Sequence, residues 1–393
     1  MKKSYLMIAA AATLLTACMD NDTFREINET EGPAISFSTY AQKATRAENS
    51  DSTYKLNLYD HHTTFKVYGF KNTDATPVFN GDSVGYSNSA WSYATKKYWD
   101  KGATTYEFYA FAPDKAPFDF YGVDGIDSQK DGNFKITTPF NKVGDNVSPK
   151  NSPTPVASWK DLATDNIDLM IADTCRLSGA SLTAAQTGSV TLQFIHVLSR
   201  LNITVQTIND LDPSVATNDS LCVDSIVITN IAHAGTFDEV KAGVNAAALR
   251  NGTHERWTAT DKEQYKYVLD YTATPNPVYV IESLVIPQTV VKDTINQNGT
   301  FPNGANVNAP YIKIDYSIYS YNSKDGTKNT NKQHYTAYYN LAKIFGIKTT
   351  DETLAFNEGW QNTLKITISP AIINFDGQVA PWADKGAKEL TIF

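Results

Sequence analysis

The chain has 393 residues, a formal net charge of -8, 12% aromatic residues with 22 Tyr and 18 Phe, and three cysteines. That length holds two domains, each large enough to bury a core. The acidic balance leaves no basic surface for phosphates, which excludes nucleic-acid binding as an expected function.

Lys2 and Lys3 precede an apolar run from Tyr5 to Leu15. The run is too short for a stable membrane-crossing helix but has the length and flanks of a secretion signal. It ends in Leu15-Thr16-Ala17-Cys18, which resembles a bacterial lipobox and implies acylation at Cys18, with residues 1–18 as the signal segment. Asp20, Asn21 and Asp22 follow, as in the surface-export tethers of some Gram-negative lipoproteins. No other apolar run reaches spanning length, so the lipid is the expected membrane attachment.

Between Pro33 and Ala47 lies a strand with a basic tail. Ile35, Phe37, Thr39 and Ala41 alternate with Ser36, Ser38 and Tyr40, the period of a half-buried strand. Lys43 to Ala47 and the polar residues Glu48 to Ser52 then form an exposed joint open to proteases. From these residues alone, an ordinary N-terminal strand followed by a loop is the better reading.

Tyr, Phe, Thr, Val and Ile then recur in short runs separated by Asn, Asp, Gly and Pro, with little helical periodicity, so the chain is predicted to be mostly β. Phe65–Phe70 reads as a strand, and Pro77–Phe79 as a strand running into a turn at Asn80-Gly81-Asp82. Trp91-Ser92-Tyr93, Tyr98-Trp99 and Tyr106–Pro113 follow, the last alternating a bulky face with a smaller one. The Gly-, Asp- and Asn-rich stretch from Pro117 to Trp159 predicts a long surface excursion. Asp168–Ala172 is a strand, and Val190–Val205 carries the longest strand signal of the chain. Val223–Thr229 is another, with Gly235-Thr236-Phe237 behind it.

The ordered set W-S-Y, Y-W, Y-E-F-Y-A-F-A-P, D-L-M-I-A and F-I-H-V-L-S-R-L-N-I-T-V resembles the fimbrillin family, the FimA-like or Mfa-like pilins of type V pili. Tyr279–Ile281, Leu284–Gln288, Ile312–Tyr316, Gly359-Trp360, Leu364–Ile368 and Val379–Trp382 continue the likeness, so it covers nearly the whole chain. The resemblance implies two tandem transthyretin-like β-sandwich domains, residues 47–240 and 241–393, after a propeptide of residues 19–46 holding a removable strand. It implies a structural pilin of cell-surface fimbriae that serves adhesion: an outer-membrane lipoprotein precursor, cut between Arg46 and Ala47 and polymerised by donor-strand exchange with other pilin subunits. The tail 383–393 ends in alternation, with Leu390 and Ile392 on one face and Phe393 beyond them, and at about 3.3 Å per residue it spans about 36 Å. It is therefore a candidate donor strand, and a last strand of its own domain is the alternative. The alternative function is an uncleaved surface lipoprotein adhesin that binds glycans or other host or bacterial surface ligands.

No enzyme, metal or cofactor is expected. Gly81-Asp82-Ser83-Val84-Gly85 fits the G-x-S-x-G pattern of a hydrolase, but the loop-like residues after it do not open a helix, so Ser83 reads as part of a turn. His61, His62, His196, His233, His254 and His334 lack zinc-ligand spacing. Asp124, Asp127, Asp131 and Asn133 lack calcium-loop spacing. His196, near Arg200, is expected to be a hydrogen-bonded structural residue. Trp91, Tyr93, Tyr98 and Trp99 fit core packing better than sugar stacking. A disulfide between Cys175 and Cys222 and two buried thiols are both open.

Overall fold

The computed structural model describes residues 31–41, 58, 62–72, 76–121, 132–140, 145–147, 167–208, 219–240, 256–273, 275, 278–291, 310–321, 328–345, 353–369 and 373–381. In chain order the early strands are β1 (Glu31–Ala34), β2 (Phe37–Ala41), β3 (Thr64–Lys71), β4 (Phe79–Ser87), β5 (Ala90–Tyr93), β6 (Tyr98–Asp100), β7 (Thr105–Ala112), β8 (Asp119–Tyr121), β9 (Asn133–Phe140) and β10 (Asp145–Val147). Next come β11 (Met170–Ala172), β12 (Cys175–Ser178), helix α1 (Gly179–Thr187), β13 (Val190–His196), β14 (Ser199–Thr207), β15 (Ser220–Asp238) and β16 (Trp257–Thr272). The chain continues with β17 (Val278–Val285), β18 (Gln288–Val291), β19 (Tyr311–Tyr321), β20 (Lys328–Asn340), α2 (Leu341–Ile344), β21 (Thr353–Phe356), β22 (Trp360–Ile368) and β23 (Ile373–Pro381). The protein is mostly β, as its composition predicts.

Three large sheets carry the fold. The first runs β2-β13-β11-β7-β3-β4-β5, with β12 also on β7; the second β10-β17-β14-β22-β23; the third β20-β19-β15-β9-β8, with β16 also on β15. Strands whose residues alternate in type bury one face in one core and the other face in another. On β3, Phe65 and Val67 enter a core with Phe79, Phe108 and Phe194, while Tyr68 and Phe70 turn to a different cluster with Phe111, Phe118 and Phe134. A third cluster fills the space between the second and third sheets, where Leu201, Ile203, Leu364 and Ile366 meet Leu221, Ile226, Ile312 and Ile314. Two sheets facing each other across an apolar layer make a β-sandwich.

Several expectations are corrected. The run Val190–Val205 is two strands, β13 and β14, in two different sheets. The break falls at Val197 and Leu198, consecutive residues that are both fully buried, so the two-residue period cannot continue through them. The Val197 amide donates to the Leu169 carbonyl and the Gly359 amide to the Leu198 carbonyl, which fixes the crossing. The change of core follows there: Phe194 lies in the first cluster, Val197 and Leu198 in the middle one, and Leu201 in the last. On either side of Val240, Phe237 and Trp257 share one cluster. The stretch from Pro117 is not wholly a surface excursion, since Phe118, Phe134 and Ile136 are buried. Val223–Thr229 and Gly235–Phe237 belong to one strand, β15, bent by register shifts that include Ile228/Ile231.

The turn expected at Asn80-Gly81-Asp82 is a bulge inside β4. Val67 pairs with Asp82 and Tyr68 with Asn80, so Gly81 is the extra residue, at φ 73. The hairpin turn comes later, at Asn88 and Ser89, whose φ values of 49 and 63 suit the tight two-residue loop that joins Ser87 to its partner Ala90.

Candidate assembly site

Residues 31–41 run along two edges in succession. Gly32 lies so close to Trp99 that a Cβ there would stand 3.1 Å from the Trp99 Cβ and 3.2 Å from its carbonyl oxygen. β1 pairs antiparallel with β6, with Glu31 opposite Asp100 and Ala34 opposite Tyr98. The chain then crosses over: the Ile35 amide donates to the Lys97 carbonyl at 2.8 Å, and the Ser36 carbonyl accepts from the Val190 amide at 2.8 Å. β2 continues parallel to β13, with Phe37 opposite Val190 and Ala41 opposite Phe194. It is the end strand of its sheet.

The predicted alternation holds. Ile35, Phe37 and Thr39 are buried, Ser36 is exposed, and Ser38 and Tyr40 are half-buried. Phe37 is ringed by four aromatic side chains in edge-on contact, with centroids at 5.8 Å (Phe65), 5.3 Å (Phe79), 6.0 Å (Tyr93) and 5.9 Å (Phe108). Burying Ile35 and Phe37 contributes about 3 to 6 kcal/mol together, before edge-on ring contacts are added. Tyr93 comes from β5, the opposite end strand of the same sheet, and its hydroxyl donates to the Ile35 carbonyl at 2.6 Å. The segment therefore closes the gap between the two ends of the eight-stranded sheet.

The outward face is held by hydroxyls. Ser36 Oγ donates to the Gly188 carbonyl at 2.9 Å, Ser38 Oγ meets Thr191 Oγ1 at 3.0 Å, and Tyr40 Oη donates to Gln193 Oε1 at 2.5 Å. Sequence reasoning found the strand but not its receptors. Trp99, 1% exposed, and Tyr93 were expected only to pack, and nothing local marks them as the residues that hold a segment so far ahead of them in the chain. Arg46 and Ala47, Cys18, and the tail residues Leu390, Ile392 and Phe393 lie outside the described residues.

The other candidates separate from this site. Ser83 is exposed within β4, opposite Lys66, and strand β5 follows instead of a helix, so the G-x-S-x-G pattern forms no nucleophile elbow. His196 is buried with its Nδ1 2.9 Å and 3.1 Å from the two oxygens of Asp168, a structural pair; Arg200 donates instead to Asn202 Oδ1. Trp91 packs on Phe65 and Trp99 on Tyr106, which fits core packing. Cys175 and Cys222 are not joined. Cys175 lies on β12 beside Phe108, where burial pushes its thiol up to about 11, and Cys222 lies on β15 in another sheet, so no disulfide spans them. His61, His233, His254, Asp124, Asp127 and Asp131 also lie outside what is described; Asn133 opens β9. Among the described residues no helix is long and apolar enough to cross a membrane.

A model of fimbrillin-like proteins matches residues 45–382. The chain belongs to the fimbrillin-like family. Membership places it among the structural subunits of cell-surface fimbriae and not among enzymes. The match opens next to Arg46, so β1 and β2 precede it. Among solved structures, the chain is similar to a fimbrial protein from Bacteroides vulgatus, at 16% identity and a TM-score of 0.49, over 89% of this chain and 99% of that one. It is also similar to the C-terminally truncated tip fimbrial protein Mfa3 from Porphyromonas gingivalis, at 11% identity and a TM-score of 0.37, over 89% of this chain and 100% of that one. No curated protein matches.

Proposed function

We propose that this fimbrillin-like chain is a pilin subunit matured by loss of its N-terminal strand. The chain leaves the cytoplasm, is acylated at Cys18, and is carried to the outer surface. Cutting between Arg46 and Ala47 then separates the acylated segment, Cys18 to Arg46, from the rest of the chain, and β1 and β2 leave with it. The groove between β13, β5 and β6 loses Ile35 and Phe37 and the main-chain partners of Lys97 and Val190. A strand from another pilin subunit fills it and restores both the ladder and the buried side chains, the economy of β-strand addition. In turn Leu390, Ile392 and Phe393 of this chain enter a neighbour's groove.

One observation carries this reading: the first described segment is an end strand whose largest buried side chain, Phe37, plugs the aromatic core, yet it lies ahead of the residues that match the family. The test is Arg46→Ala in cells that make the filament. N-terminal sequencing should then find the uncut lipoprotein, and filaments should be lost. Normal filaments from the variant, or an uncut N-terminus in wild-type filaments, would favour the uncleaved adhesin instead.

A further inference from the structure

Resting on the reading that β1 and β2 leave the groove, we infer that the groove selects its next occupant by a specific pattern, and that this chain's own tail does not carry it. The occupant is the strand of a different subunit, with glycine, two free positions, an aliphatic residue, one free position, an aromatic residue, one free position and a small residue.

Each position has its own cause. At Gly32 the Trp99 side chain and carbonyl leave no room for a Cβ without displacement. Three residues on, Ile35 is 2% exposed and held on both sides of its peptide, its amide by Lys97 and its carbonyl by the Tyr93 hydroxyl. Two further on, four aromatic rings surround Phe37, a site an aliphatic side chain fills incompletely. Thr39 comes next, buried opposite Leu192. The crossing at Ile35 and Ser36 fixes the spacing, because the segment changes partner strands there: slipping one residue exchanges the buried and exposed faces throughout.

The tail Gly386-Ala387-Lys388-Glu389-Leu390-Thr391-Ile392-Phe393 fails in every frame. Gly386 against Trp99 places Glu389 in the buried aliphatic site. Leu390 in the aliphatic site places Ile392 among the four rings and Ala387 against Trp99. Phe393 among the rings places Thr391 in the aliphatic site and Lys388 against Trp99. A groove of this shape therefore directs assembly toward a mixed filament in which this subunit receives a strand from a chain unlike itself.

The experiment uses the full folded chain with a protease site inserted between Ala47 and Asp51, so that it proceeds whether or not Arg46 is the natural cut. After cutting, a fluorescent peptide of residues 31–43 is exchanged into the groove, and unlabelled peptides compete with it. Unlabelled 31–43 should compete fully, and the same peptide with Phe37→Ala should compete at least about tenfold more weakly. The tail peptide of residues 384–393 should also be at least about tenfold weaker, and Ala387→Gly with Ile392→Phe in that peptide should recover most of the loss. A tail peptide within about tenfold of 31–43, an indifferent Phe37→Ala, or a groove that never takes up the labelled peptide would overturn the inference. Failure of the Arg46→Ala experiment in cells would leave these competition results standing.

Discussion

Two strands of this protein lie in the same way and are secured differently. β2 runs parallel to β13 and β14 runs parallel to β22, each beside a partner more than a hundred residues later. β14 has eight paired positions with β22 and a second neighbour, β17, on its other side. β2 has five paired positions and stands at the end of its sheet. β14 is also tied to β13 through Val197 and Leu198, whose burial leaves no exposed bond between them. Removing β14 would open two ladders and a sandwich core, whereas removing β2 opens one ladder and one aromatic pocket. The same parallel geometry thus sits inside a two-sided ladder in one place and at a one-sided sheet edge in the other.

The strongest way to break the comparison is to attack what fixes the entry to β14. Arg256, 1% exposed, forks onto Glu358 through Nε and Nη2 and lies 5.0 Å over the Phe237 ring. Next to Glu358, Gly359 binds the Leu198 carbonyl. Glu358→Ala strips the buried guanidinium of the carboxylate it hydrogen-bonds, leaving only the field of Glu239, and should cost about 3 to 5 kcal/mol of global stability. Thermal unfolding followed by circular dichroism would show it. Replacing both partners, Arg256→Met with Glu358→Leu, should restore most of the loss, and a double variant as unstable as the single one would refute the ion-pair account.

A matched pair of core truncations sharpens the contrast. Ile203→Ala on β14 should cost about 2 to 5 kcal/mol, spread over the whole chain as a lower unfolding midpoint. Phe37→Ala removes a comparable amount of buried surface, about 3 to 5 kcal/mol at a fully packed site, but on an end strand paired along one side only. Its effect should appear as faster hydrogen exchange at the Val190 amide, which is bonded to Ser36, while the Gly359 amide on Leu198 stays protected. Equal loss of protection at both amides would mean that β2 is as much framework as β14.

The end strand β2 was more legible in sequence than the interior strand β14. Ile35, Phe37 and Thr39 announce their face by simple alternation, with polar residues between them. β14 hides in the run Val190–Val205, because Val190, Leu192 and Phe194 of β13 and Leu201, Ile203 and Val205 of β14 alternate with polar residues at the same period, and nothing local shows that Arg200, Asn202 and Thr204 are buried as well. Phe134 and Ile136 were lost for the opposite reason, standing among Gly, Asp and Asn residues that dilute any pattern. Gly81 shows the limit of turn signals: its positive φ is real, but a bulge needs it as much as a turn does. The parallel partners of β2 and β14, and the use of Tyr93 and Trp99 as receptors, depend on residues far apart in the chain, which no local pattern records.

The smallest expected effect isolates the hydrogen bond that joins the residue two places ahead of β2 to the far end of that sheet. Tyr93 Oη donates to the Ile35 carbonyl at 2.6 Å, and the ring of Tyr93 also packs on Phe37 and Phe79. Tyr93→Phe keeps the ring and deletes the donor. The Ile35 carbonyl then loses its partner in a half-buried position, which should cost about 1 kcal/mol. That amount is too small to move global unfolding by much, yet it should speed exchange at the Val190 amide about fivefold if opening of β2 is what exposes that amide. The ring contacts make the direction informative. If Tyr93 served only to pack, Tyr93→Phe would leave exchange at Val190 unchanged, while Tyr93→Ala would still accelerate it. If the hydroxyl latches the strand, both variants open β2, and the difference between them measures how much of the closure is hydrogen bond and how much is aromatic contact.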